Sequence, residues 1–87
     1  SDENTAPTKQ QVCDAWQKVS DLYRTRNLIN SRGPSGGLEA VARLGELAQQ
    51  FPAEALRWEG AQLSEAADSG SVTLTEFNSK QNLKAFC

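Results

Sequence analysis

Histidine is absent from the 87-residue chain. That removes Ser-His-Asp and Cys-His mechanisms and every His-based zinc site. Carboxylates remain, but Glu39, Glu46, Glu54, Glu59 and Glu65 fall mainly on the polar faces of predicted helices. An acid and base pair needs a cleft. Nothing in the pattern builds one, so solvated faces are expected, with no catalytic set, metal or cofactor. Arg24, Arg26 and Arg32 cluster near the glycine-rich run Gly33–Gly37 and a helix N-terminus, where an anion can be held. The phosphate-binding lysine motif is missing, and a solvated basic corner is the favoured reading. Trp58 has two readings. The favoured one packs it under the last segment, against Leu83 or Phe86; the other makes it an exposed anchor for a partner.

Cys13 and Cys87 are the two cysteines and bracket almost the whole domain. A disulfide between them implies an oxidising compartment, whereas two unrelated thiols fit a reducing one. The bridge is favoured, because an exposed terminal thiol is reactive. A net charge of −2 gives no basic face for nucleic acid. No apolar run approaches the length of about 18 residues that spans a membrane. Without a starting Met or a signal-type apolar run, we expect a processed or trimmed form.

The elements that position these residues are helical. Thr8 to Asn27 is the strongest segment: Val12, Trp16, Val19 and Tyr23 recur at spacings of three and four, with Ala15 and Leu22 beside them. Thr8 and Gln11 have capping-box spacing, and Asp14 precedes Lys18 in the order that favours an ion pair. A second helix is predicted from Gly37 to Phe51, with Val41, Leu44, Ala48 and Phe51 inward and Glu39 and Arg43 paired outside. A third opens at Pro52 and runs to Ala67, with Leu56, Gly60, Leu63 and Ala67 on one face. Gly60 and the alanines permit close approach of a neighbour. Thr73 and Glu76 offer a second capping box for a shorter last helix towards Phe86. Its apolar residues make no clean stripe, so it is bent near Gln81–Asn82 or contacted on two sides. Val72 and Leu74 alternate as in a strand, but the run is too short to stand alone. Ser1 to Pro7 reads as a flexible polar tether, of the sort that follows the acylated cysteine of a mature bacterial lipoprotein; an ordinary frayed terminus accounts for it equally.

Gly70 to Phe77 resembles the second half of an EF-hand calcium loop, with its turn glycine, apolar strand residue, final glutamate and following aromatic. The same register puts Glu65, Ala67 and Ser69 at three ligand positions. Alanine cannot coordinate, calcium takes six to eight oxygens, and no second loop is apparent, so a capped turn is favoured over a calcium site.

The motifs VCDAW, LAQQFPAE and LKAFC, spread over Gln11 to Cys87, resemble a group of small exported proteins of actinobacteria and their phages. The resemblance implies a disulfide-tied helical bundle outside the cytoplasm, often lipid-anchored, and no activity. The lipidation cysteine is not in this chain.

Together these readings predict an all-α fold: a tether over residues 1–7, then a bundle over 8–87 of three long helices and a shorter C-terminal one, closed by Cys13–Cys87. The expected function is non-enzymatic binding of another protein in the cell envelope, with membrane contact only through a lipid anchor beyond this chain. A narrower form is a phage or prophage lipoprotein that excludes superinfection. Trp58, Glu54 and Glu65 on one outer face, or the three arginines, are the candidate contacts. The alternative is a carrier of a lipid-like molecule in a cavity lined by Leu, Val and Phe.

Overall fold

The apolar stripe of the first segment is buried along its length: Val12, Ala15, Trp16, Val19 and Tyr23 all enter the core. The computed structural model describes residues 6–87, and in it this stripe belongs to helix α1, Lys9–Leu22, followed by a 3-10 turn at Tyr23–Thr25. Both bonds of the capping box are present. The Gln11 amide donates to Thr8 Oγ1 at 3.1 Å, and the Thr8 amide donates to Gln11 Oε1 at 2.8 Å. Pro7 is buried, so the last residue of the expected tether belongs to the fold. The part of that tether over Ser1–Thr5 lies outside the described residues.

Strand β1, Leu28–Asn30, then leads through a turn into helix α2, Gly37–Gln50. Helix α3, Glu54–Ser69, begins two residues later than expected, with Ala53 rather than Pro52 at its boundary. Gly70 ends α3 with φ +88°, in the left-handed region where glycine carries no Cβ penalty. Strand β2, Ser71–Thr73, and two short helices, α4 at Leu74–Asn78 and α5 at Gln81–Phe86, complete the chain. Thr73 Oγ1 caps α4 by accepting from the Glu76 amide at 3.1 Å.

The expectation of an all-α chain is corrected by the two strands. They pair antiparallel, with Ile29 opposite Val72, and both side chains are fully buried. The Asn27 carbonyl extends the pairing by accepting from the Leu74 amide at 2.8 Å. Val72 cannot form a sheet alone, and its partner lies across two intervening helices in the sequence. The expected single last helix is two helices, broken at Ser79–Lys80. This split places Phe77 and Leu83, which no single helical stripe could accommodate, in one core.

Phe77 is the centre of that core. Trp16 stacks on it at 4.2 Å between ring centroids and Tyr23 at 5.2 Å. α2 and α3 meet at their glycines. A Cβ on Gly60 would come within 2.7 Å of the Gly45 carbonyl oxygen and 2.8 Å of Ala48 Cβ. A Cβ on Gly45 would meet the Gly60 carbonyl at 2.7 Å. The close approach expected of Gly60 is therefore a backbone-to-backbone contact that involves Gly45 as well.

Cys13 and Cys87 are paired, with Cα atoms 5.3 Å apart, and no described cysteine is free. Of the expected surface ion pairs, Asp14–Lys18 and Glu39–Arg43 are not formed within 4.0 Å; among the described residues the pair that is formed is Arg24–Asp21, at 3.3 Å. Exposed pairs contribute little, so the difference leaves the fold unaffected.

Candidate functional site

Helix α3 has two distinct faces, set by the 3.6-residue period. Leu56, Glu59, Gly60, Leu63 and Ala66 point inward and are buried. Glu54, Arg57, Trp58, Ala61, Glu65 and Asp68 lie on the opposite side and are exposed. The glycine contact fixes the inner side of α3 against α2, so the outer face is presented by a helix held at close range to its neighbour.

Trp58 is 66% exposed. The favoured packing under the last segment is corrected. Leu83 is buried in the core, and Phe86 makes its ring contact with Phe51, edge to face at 4.9 Å. The position of Trp58, about 200° round α3 from Leu56, turns it away from both. Its indole walls a shallow groove of about 360 Å³ with Glu54, Arg57 and Ala61. Among the described residues no carboxylate lies within 4.0 Å of the Arg57 guanidinium. Glu54 and Glu65 share this face with Trp58, as expected. Arg57 joins them, and its signal was its place beside Trp58 on the same stripe.

The arginines belong to a different region. Arg24 lies in the 3-10 turn after α1, Arg26 just before β1, and Arg32 in the β1–α2 connection; all three are exposed. Arg24 is held by Asp21, and Glu39 occupies the first turn of α2. That carboxylate sits where an anion would otherwise be drawn to the helix end.

Glu59 corrects the expectation of a solvated face. It is 9% exposed, and its carboxylate accepts from the Asn82 amide at 3.0 Å, the Asn82 side-chain amide at 3.0 Å and the Leu83 amide at 2.7 Å. The two backbone amides are free donors of the first turn of α5. Glu59 is thus a helix cap supplied from another helix, and none of its geometry points to acid–base chemistry. Its spacing of three from Leu56 and four from Leu63 placed it on the buried stripe.

A second cleft, about 450 Å³, is lined by Gln62, Glu65, Ala66, Ser69, Glu76 and Lys80. Its walls are largely polar, and the Leu, Val and Phe side chains that an apolar-ligand cavity would need are packed in the core instead. Lys80 is 6% exposed, and its ammonium donates to Ser79 Oγ at 3.3 Å. In the calcium-like register, α3 continues through Ser69, so Glu65, Ala67 and Ser69 are helical rather than wrapped as a loop. Among the described residues, no group of three or more Asp, Glu or Cys is placed to hold a metal ion. The strand pairing, however, supplies a partner for Val72 that the loop lacked in sequence.

No described helix is long and apolar enough to cross a membrane. Comparison with family models, with curated proteins and with solved structures finds no match.

Proposed function

We propose that the chain is a non-enzymatic interaction protein of the cell envelope, which contacts another protein chain through the outer face of α3. The observation that carries this reading is the exposed indole of Trp58 on a rigidly held helix, beside small Ala61 and flanked by Glu54, Arg57 and Glu65. An aromatic centre with a charged rim is the composition of a binding hot spot. The paired cysteines are compatible with an oxidising, exported location. Lipid anchoring, and a role in superinfection exclusion, are narrower forms that rest on the resemblance of VCDAW, LAQQFPAE and LKAFC and on the tether-like composition of Ser1–Pro7.

The test is a photo-crosslinking residue at Ala61 in the chain secreted by a bacterial host, with adducts identified by mass. An adduct in the envelope fraction is expected, and Trp58→Ala should abolish it while leaving the melting temperature within about 2 °C, as for an exposed side chain. No adduct, or an adduct indifferent to Trp58→Ala, overturns the reading.

A further inference from the structure

We infer that the occupant of this face is a second copy of the chain, docked with α3 antiparallel to α3 and a two-fold axis passing at Ala61. The inference rests on the reading of Trp58 as a contact residue and names its partner.

The charge order along the exposed stripe points to a two-fold contact. In an isologous contact, each residue meets the one equally distant on the far side of the axis. Ala61 lies midway between Arg57 and Glu65, so an axis there sets Arg57 of each copy opposite Glu65 of the other. Neither Arg57 nor Glu65 is in an ion pair among the described residues. Ala61 is the smallest side chain of the stripe, which lets the helices approach where they cross. At about 1.5 Å rise per residue, Trp58 lies about 4.5 Å from the axis, so each indole covers the Ala61 region of the other copy. The groove walled by Glu54, Arg57, Trp58 and Ala61 is then filled by its own mate.

The same register opposes Glu54 to Asp68 at the ends of the contact. That repulsion favours helices that splay away from the crossing point, and it limits affinity. One helix face also buries less than the roughly 1,200–2,000 Å² of a stable interface, so dissociation in the micromolar to millimolar range is expected.

Sedimentation equilibrium of the oxidised chain, up to about 1 mM as a weak contact requires, provides the test. A monomer–dimer equilibrium is expected. Arg57→Glu and Glu65→Arg should each weaken it about tenfold or more, because each sets like charges face to face. The double reversal should return it to within about threefold of wild type, since opposite charges again meet. Glu54→Gln with Asp68→Asn should tighten it. A chain that stays monomeric, or a double reversal as weak as the single changes, overturns the inference. If the wild type is monomeric yet the Ala61 crosslink captures a different, identified protein in a Trp58-dependent way, the second-copy inference fails and the docking reading stands. If the Trp58-dependent crosslink is also absent, both fail.

Discussion

Glu59 caps a helix to which it does not belong. Its carboxylate serves two backbone amides and one side-chain amide of α5 from the middle of α3. Glu59→Ala strands those donors next to a fully buried Leu83, and hydrogen bonds to charged groups contribute about 1.5–3 kcal/mol each. We expect urea unfolding to show a loss of about 2–4 kcal/mol, against about 0.5 kcal/mol or less for Asp21→Ala on the exposed side of α1. Equal effects would contradict the cap. Tyr23 gives a second residue-scale expectation. Its hydroxyl donates to the Val72 carbonyl at 2.6 Å, and burial, with Glu76 adding to it, pushes its pKa up to about 12 from 10.0. The fold therefore favours the neutral phenol. Its contribution is complete below pH 10 and declines as pH rises through 12, by an amount on the order of 2 kcal/mol. Comparing Tyr23→Phe with wild type across pH 9 to about 12 isolates this dependence from lysine titration; parallel curves would refute it.

At the scale of elements, the periodic helices were legible and the non-local pieces were not. Val12, Trp16, Val19 and Tyr23 announce α1 because one face of a helix must be apolar. Val72 gives no such signal, since a three-residue strand acquires meaning only from Ile29. Glu59 was obscured by its charge, although its spacing from Leu56 and Leu63 was the inward one. For Trp58 the sequence favours packing over exposure, because a large aromatic is more often covered; among the described residues no element covers the outer face of α3, and Trp58 is exposed. Gly60 was readable as a close-approach residue, but its partner Gly45 was not. Gly60→Ala should destabilise by about 1–3 kcal/mol, the range for overpacking. Here the added methyl meets a backbone oxygen and amide that cannot swing aside. A thermal melt unchanged by this substitution would show that α2 and α3 slide apart freely.

At the scale of the molecule, two helix–strand–helix units share one core. α1, β1 and α2 form the first; α3, β2 and α4, continued by α5 and Cys87, form the second. Neither has an inner face that it can cover alone, because Phe77 of the second lies against Trp16 and Tyr23 of the first. The Cys13–Cys87 pair joins the two units across 74 positions of sequence. By the loop-entropy relation, that constraint contributes about 4 kcal/mol, a large share of the stability of a small domain. Reduction should lower the denaturant midpoint accordingly, and titration of the unfolded, unreduced chain should find no free thiol. Two titratable thiols, or an unchanged midpoint, would remove the bridge from the account.

The turn at residues 51–53 is the sole covalent passage between the units other than the sulfur bridge, and it separates the two cysteines. A protease that cuts this turn would therefore produce no loose fragment. It would leave a two-chain molecule, each chain carrying one strand, one half of the glycine contact and one sulfur, in the manner of a processed hormone. Nicked material would run as a single species until reductant is added, and only then separate into its halves.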